Sequence, residues 1–212
     1  MLKLYSWDTS NGRKVAIMLE EANLPYQYHP ININEGHQHT DDYLSINPNG
    51  KIPAIIDPQG PNGRPITIFE SGAILIYLAE KSGSSLWPED SYERTQVLQW
   101  LMFQMGGVGP MLGQALHFYK YSNVKVPYAT ERYMQEALRL YRVMDEWLKN
   151  REYFATNYSI ADIAIYPWIA RWQWLDIDWK NYPHLKTWYE QISERPAVQK
   201  GLTVLRQSST TA

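Results

Sequence analysis

Residues 47–71 read N-P-N-G-K-I-P-A-I-I-D-P-Q-G-P-N-G-R-P-I-T-I-F-E-S. Two runs rich in β-branched residues, 52–57 and 65–69, flank a break made of glycine, proline and polar residues. This pattern predicts a β-hairpin with a long loop. Because proline cannot donate a hydrogen bond to a neighbouring strand, Pro53 should mark a sheet edge, a bulge or a cis peptide bond.

The second run leads directly into E-S-G-A-I-L-I-Y-L-A-E-K, which predicts a helix that starts at Glu70 and Ser71. A carboxylate and a hydroxyl therefore stand where the helix N-terminus presents unpaired backbone N–H groups. An edge backbone beside a helix N-terminus predicts a small pocket for a peptide-like ligand.

Composition limits the classes of function. The 212 residues are 44% hydrophobic, which is enough for one or two domains with cores. A formal net charge of −2 and the lack of a Lys/Arg run give no indication of a nucleic-acid or membrane partner. The absence of cysteine excludes a disulfide, a thiolate zinc site and a catalytic cysteine. We expect no signal peptide, no membrane span and a cytoplasmic location.

The first eighty residues alternate between strand and helix patterns. A short strand from Leu2 is followed by a helix with Ser10 or Asn11 as its N-cap, and residues 26–33 predict a second strand. The hairpin and the helix at 71–81 complete the order β-α-β-β-α, a thioredoxin-like arrangement. We predict this domain over residues 1–81.

The rest of the chain has no convincing strand pattern. After a linker at 82–89, helices are predicted at about 91–105, 111–118, 128–148 and 160–169, with a last one that begins at Pro183 and stops at Pro196. We predict an all-helical domain over 90–202 and a disordered tail over 203–212. The predicted fold class is thus α/β plus all-α.

The strings N-G-K-I-P and E-S, at this spacing and followed by an all-helical half, resemble the cytosolic glutathione transferases over nearly the whole chain. The string Q-M-G-G-V-G-P-M-L-G-Q-A-L-H-F from Gln104 is similar to the bacterial nu class of that family, and to its disulfide-bond oxidoreductases. This resemblance implies a thioredoxin-like first domain, a helical bundle and glutathione as co-substrate.

The resemblance also implies a ligand set. In that family the backbone before the cis-proline pairs with the cysteinyl part of glutathione, which points to Ile52 and Pro53. The acid and serine that hold the γ-glutamyl end correspond to Glu70 and Ser71. Gln38 and Lys51 are the implied contacts at the glycyl end of glutathione. Arg132 is implied to reach the ligand of the neighbouring subunit in a homodimer.

A glutathione enzyme must stabilise a thiolate near neutral pH, although a free thiol has a pKa of about 8.5. Thr9, Ser10 and Asn11 can donate hydrogen bonds at the start of the first helix, whose N-terminus adds positive potential. In the nu class, the threonine and asparagine of this turn lie near the sulfur. Since Ser10 stands where relatives often have proline, all three residues remain candidates. Asn11 also belongs to the implied glutathione-binding set.

The function that the resemblance implies is reduction of small disulfides by two glutathione molecules, without a protein cysteine. One alternative is a transferase or peroxidase that acts on electrophiles or hydroperoxides, which would differ in a second pocket at 106–118. A second alternative is a non-catalytic binding protein with the same fold. No metal is expected, because His37, His39 and His117 do not have the spacing of a metal site.

Overall fold

The computed structural model describes residues 1–207 of the chain. Backbone contacts divide the protein into two compact units. The first unit contains Met1–Trp87 and the segment that starts at Glu194, and the second contains Pro88–Ser193.

The first unit is built on a mixed four-stranded sheet. Its strands are β1 (Leu2–Ser6), β2 (Tyr26–Pro30), β3 (Ala54–Asp57) and β4 (Ile66–Phe69), in the order β2-β1-β3-β4. Strand β1 is parallel to β2 and antiparallel to β3, which in turn is antiparallel to β4. The helices are α1 (Ser10–Glu21), α2 (Asp41–Ile46), α3 (Ser71–Ser82) and α9 (Pro196–Gln207), with short 3₁₀ turns at His37–His39 and Pro61–Gly63. This arrangement confirms the predicted α/β fold.

Helices α1 and α3 pack against each other over the sheet. The apolar side chains of α1 that the 3.6-residue period places on one side are buried, as are Leu4 of β1 and Ile55 of β3. Burial of these side chains fixes the position of both helix N-termini relative to the ends of β1 and β4. This is where the candidate ligand residues lie.

Two local differences from the prediction have clear causes. Helix α2 was not predicted because residues 34–42 are polar, yet Thr40 caps it by accepting a hydrogen bond from the Tyr43 amide. Strand β3 begins at Ala54 rather than Ile52, because Pro53 has no N–H group to donate to a neighbouring strand. The Ile52-Pro53 peptide bond is cis. The cis bond confirms one of the three roles expected for Pro53.

The last helix differs from the expected domain organisation. The helix that begins at Pro183 ends at Ser193, before Pro196 as predicted, but it is not the last one, because Pro196 starts α9. Helix α9 packs on α1, where Arg195 forms a double ion pair with Glu21 and Lys200 pairs with Glu20 at 2.6 Å. Residues 203–207 of the predicted tail continue α9, and 208–212 lie outside the described residues.

Gly201 lies where the backbone of α9 is close to that of α1, and this contact gives a stability prediction. A Cβ atom at Gly201 would lie 2.8 Å from the Ile17 amide nitrogen and 2.9 Å from the Ala16 carbonyl carbon. These are backbone atoms that cannot rotate away, so Gly201→Ala should lower the free energy of unfolding by about 1–3 kcal/mol. Urea unfolding measures this change.

The matched control for Gly201→Ala is Gly106→Ala, because nothing lies within 4 Å of a Cβ placed at Gly106. That substitution should leave stability unchanged or raise it by about 0.5–1 kcal/mol, through the smaller entropy of the unfolded chain. Equal losses for the two variants would contradict the close packing of α9 on α1.

The second unit is helical throughout its regular structure. Its helices are α4 (Ser91–Phe103), α5 (Gly109–Leu116), α6 (Pro127–Leu148), α7 (Ile160–Ile169) and α8 (Pro183–Ser193). A wide π-helical turn at Gln104–Val108 joins α4 to α5, at the glycines where an interruption was predicted, and a second follows α5 at His117–Tyr121. No helix within residues 1–207 has the length and apolar character that crossing a membrane would require.

A capping box is present at the start of α7. The Ser159 hydroxyl accepts a hydrogen bond from the Ala161 amide, and Asp162 accepts one from the Ser159 amide. The same carboxylate also accepts hydrogen bonds from the Phe154 amide and from Trp188 Nε1. Asp162 therefore joins three segments of the second unit.

Candidate functional site

The turn between β1 and α1 holds the three candidate donors. Thr9 is the N-cap of α1, and its Oγ1 accepts a hydrogen bond from the Gly12 amide at 3.1 Å. Ser10 is buried as the first residue of the helix, and Asn11 is half-buried. The first turn of α1 contains no acidic side chain, so its positive end is left available to an anion.

Gly12 allows this turn to lie against the end of β1. A Cβ atom there would lie 2.1 Å from the Trp7 carbonyl oxygen and 2.5 Å from Ser6 Oγ. The turn is also held by Asp8, which pairs with Arg13 through two hydrogen bonds of 2.5 and 3.0 Å. The donors therefore stand on a fixed segment, as a preorganised site requires.

The segment before β3 presents its backbone in a similarly fixed way. The Lys51 carbonyl accepts hydrogen bonds from Tyr43 Oη at 2.6 Å and from Asn47 Nδ2 at 2.5 Å. Ile52 follows outside the strand, and its backbone has no hydrogen-bond partner among residues 1–207. Its amide and carbonyl groups are thus available to pair with an extended peptide.

Glu70 and Ser71 stand at the start of α3. Glu70 is exposed and has φ 71° and ψ 112°, a backbone conformation that residues other than glycine rarely adopt. Ser71 is buried, and its Oγ accepts a hydrogen bond from Lys14 Nζ at 3.2 Å. The pair therefore combines a carboxylate, a hydroxyl and the N-terminus of a 12-residue helix.

Lys14 is fully buried within α1 beneath this pair. Burial lowers the pKa of its ammonium group to about 7, and the negative charge of Glu70 offsets only part of that effect. The Lys14 amine thus lies close to Ser71 in a poorly solvated position, where its charged form is disfavoured.

Gln38 lies in the 3₁₀ turn His37–His39 and is half-buried. Its Nε2 donates to the Ile33 carbonyl at 3.4 Å, whereas its buried Oε1 has no partner among the described residues. The Lys51 side chain is exposed to solvent. Both residues belong to the first unit, as do Ile52, Glu70 and Ser71.

Arg132 belongs to the second unit. It is an exposed residue of α6 and lines an open cavity of about 730 Å³ together with Met111, Tyr128 and Glu131. Arg132 is therefore not part of the candidate site that the first unit forms. Within residues 1–207 no group of three or more His, Cys, Asp or Glu side chains could hold a metal ion.

Comparison with known proteins identifies the family. Residues 10–81 match the model of the glutathione S-transferase N-terminal domain, and residues 111–196 match that of the C-terminal domain. The chain is 46% identical to the disulfide-bond oxidoreductase YfcG of Escherichia coli K12 over 204 residues, which are 95% of this chain and 94% of the relative. The chain belongs to the glutathione transferase family.

Solved glutathione transferases have the same fold. The enzyme from Pseudomonas putida, with one glutathione disulfide bound per subunit, is 45% identical with a TM-score of 0.90, and the match covers 95% of this chain and 90% of that one. A family member from Pseudomonas fluorescens Pf-5, with two glutathione molecules bound, is 46% identical with a TM-score of 0.90, covering 95% and 92%. These matches confirm the predicted fold and family.

Three features of this glutathione transferase site were not predicted from the sequence. Lys14 was not singled out, because a lysine in an amphipathic helix is normally exposed. Tyr43 and Asn47 were missed because the helix that carries Tyr43 was read as irregular. A closer reading of N-P-N-G as a turn could have suggested Asn47 as a side chain that hydrogen-bonds nearby backbone.

Proposed function

We propose that this protein is a glutathione-dependent disulfide-bond oxidoreductase that reduces small disulfides. One feature supports this function most strongly: a chain without cysteine carries a fixed polar turn, Thr9 to Asn11, at the N-terminus of α1. The name of the 46% identical relative and the two glutathiones or glutathione disulfide bound by solved relatives support it as well.

In the proposed complex, each end of glutathione meets complementary groups. The ammonium group of the γ-glutamyl end pairs with Glu70, and its carboxylate binds Ser71 and the N-terminus of α3. The cysteinyl part pairs with the Ile52 backbone ahead of Pro53. Gln38 reaches the glycyl end, and Lys51 pairs with the carboxylate of that end.

Thr9, Ser10 and Asn11 would stabilise the glutathione thiolate. Because Thr9 Oγ1 accepts a hydrogen bond from the Gly12 amide, the hydroxyl proton of Thr9 is directed elsewhere and can be donated to sulfur. The side-chain amide of Asn11 is also of a type that can donate a hydrogen bond to a thiolate. Together with the helix N-terminus these donors lower the thiol pKa, so that the thiolate forms near neutral pH.

The reaction balances with two glutathione molecules. The thiolate of the first attacks one sulfur of the disulfide, forms a mixed disulfide and expels one thiolate. The second glutathione thiolate attacks the glutathione sulfur of the mixed disulfide, which yields glutathione disulfide and expels the other thiolate. Two glutathione thiols are oxidised, the substrate is reduced to two thiols, and no protein residue is modified.

We further infer a homodimer of the nu class in which Arg132 reaches the ligand of the neighbouring subunit. The family resemblance at residues 104–118 supports this assignment. A cytoplasmic location fits the proposed function, because glutathione is kept reduced there. Sedimentation at several concentrations tests the dimer, and Arg132→Ala should weaken glutathione binding without changing the sedimentation coefficient.

One experiment separates the proposed function from its alternatives. The purified protein is supplied with glutathione and glutathione reductase, and turnover of a model disulfide is compared with turnover of an aryl halide and of a hydroperoxide. Faster disulfide turnover supports the proposal. Faster conjugation or hydroperoxide reduction indicates a transferase or peroxidase, and glutathione binding without turnover of any substrate indicates a binding protein.

The thiolate-stabilising turn gives a second test. Asn11→Ala should lower kcat/KM for disulfide reduction about 10-fold, because a hydrogen bond to a charged group contributes about 1.5 kcal/mol or more. The pKa of bound glutathione should rise correspondingly. The pH-dependent difference in ultraviolet absorbance of the thiolate measures it, and no protein thiolate contributes because the protein has no cysteine.

Thr9→Ala and Ser10→Ala, measured in the same way, rank the three candidates. The control is Asn150→Ala, which removes an exposed amide from the second unit. The assignment of this turn would be wrong if Asn150→Ala lowered kcat/KM as much as the turn variants do. It would also be wrong if the turn variants left the pKa of the glutathione thiol unchanged.

A further inference from the structure

A buried lysine of α1 contacts the first residue of α3. Lys14 has no exposed surface. Its neighbours along α1, which are Val15, Ala16 and Ile17, are equally buried, but they are apolar. Burying an ammonium group is unfavourable unless the group is stabilised by its surroundings. Its Nζ donates a hydrogen bond to Ser71 Oγ at 3.2 Å, which links α1 to the first residue of α3.

The direction of this hydrogen bond follows from the protonation state of Lys14. In its ammonium form a lysine has three donors and no acceptor, so the Ser71 oxygen then acts as the acceptor. The hydroxyl proton of Ser71 then cannot point at Lys14. Lys14 thereby restricts the direction in which that hydroxyl can donate.

The electrostatics of the site favour an anion at this point. The pKa of Lys14 is lowered to about 7 because burial disfavours its charged form, and the exposed carboxylate of Glu70 does not fully compensate. A second negative charge, placed next to Ser71, would stabilise the ammonium group. The N-terminus of α3 adds positive potential in the same place.

We propose that Lys14 is a positioning residue for the α-carboxylate of the γ-glutamyl end of glutathione, acting through Ser71. The lysine orients the serine hydroxyl and supplies a buried positive charge beneath the carboxylate. This inference rests on the proposed function, because it takes glutathione as the ligand. Lys14 itself does not touch the reacting sulfur.

Calorimetric binding of two ligands tests the inference. One is glutathione, and the other is 4-aminobutyryl-cysteinyl-glycine, which keeps the amine and the thiol but lacks the α-carboxylate. Lys14→Met should weaken glutathione binding about 10-fold, as expected for the loss of a charge-assisted contact. The same substitution should change binding of the decarboxylated ligand less than about twofold, because that ligand has no carboxylate to orient.

Three further variants complete the design. Lys200→Met, which removes a lysine from the surface of α9, should change neither affinity. Ser71→Ala should weaken glutathione binding, and adding Lys14→Met to it should have little further effect. Lys14→Gln, which keeps a donor without the charge, gives an intermediate loss and serves as the readout if the methionine variant does not fold.

The outcomes are distinct. Selective loss of glutathione binding with an unchanged or raised unfolding temperature supports the inference, since replacing a buried charge by an apolar side chain often does not destabilise a fold. Equal weakening of both ligands, or no weakening of either, overturns it. If the unaltered protein binds neither ligand, the proposed function itself fails, and the inference about Lys14 fails with it.

Discussion

Replacing Asp162 with alanine is expected to lower the free energy of unfolding by about 3–5 kcal/mol, the range seen when a buried charged network loses one member. Oδ1 accepts from the Phe154 amide at 3.2 Å and from Trp188 Nε1 at 2.9 Å, and Oδ2 accepts from the Ser159 amide at 3.0 Å. Alanine would leave these buried donors without partners, and each such donor costs about 1–3 kcal/mol. It would also remove the capping box of α7.

Urea unfolding at pH 7.5 measures this loss. Burial raises the pKa of Asp162 to about 6, against the lowering effect of its hydrogen bonds, so the carboxylate is mostly ionised at that pH. The matched control is Asp90→Ala, because Asp90 caps α4 through the Glu93 amide but is exposed. We expect Asp90→Ala to lower the free energy of unfolding by about 1 kcal/mol. A loss at Asp162 no larger than at Asp90 would show that the buried network does not stabilise the fold.

The second large effect concerns Glu70, where stability and ligand binding should change in opposite directions. With φ at 71° and ψ at 112°, the backbone of Glu70 is in a region that favours glycine. Glu70→Gly should therefore raise the free energy of unfolding by about 1 kcal/mol, the lower end of the cost of such strain. It should also weaken glutathione binding by roughly 10- to 150-fold, through the loss of a charge-assisted contact of about 1.5–3 kcal/mol.

Two control variants separate the causes. Glu70→Gln keeps the strained backbone but removes the charge, so it should weaken binding without a gain in stability. Glu80→Gly makes the same exchange at an exposed position within α3, where glycine should cost about 1 kcal/mol and leave glutathione affinity unchanged. A destabilised Glu70→Gly, or one that binds glutathione normally, would contradict the role assigned to this residue.

Local signals in the sequence were sufficient for much of the fold. The hairpin, the position of Pro53 and the helix start at Ser71 depend on residues close together in the chain, and the structure has all three. The prediction lacks α9 because Pro196 marks the end of the preceding helix, and the same proline also begins the next one. Its place depends on packing against α1, which no local pattern reveals.

In the candidate site, too, local motifs predict some residues, whereas others depend on packing between distant parts of the chain. The turn at Thr9 and the pair at Glu70 could be located from motifs, but the pattern could not reveal that Lys14 is buried. That burial depends on α3 lying beside α1, a contact between residues 57 positions apart in the chain. Which donor contributes most to the thiolate is a matter of orientation and charge, and requires the variants described above.

Helix α9 has a consequence for the order in which the protein is made. The residues that cover α1, such as Val198 and Gly201, are synthesised only after the whole of Pro88–Ser193. At ribosomal rates of roughly 5–20 residues per second, α1 spends on the order of ten seconds without this cover. The unit that begins the chain is therefore the last to be completed, and the inserted helical unit can finish folding before it.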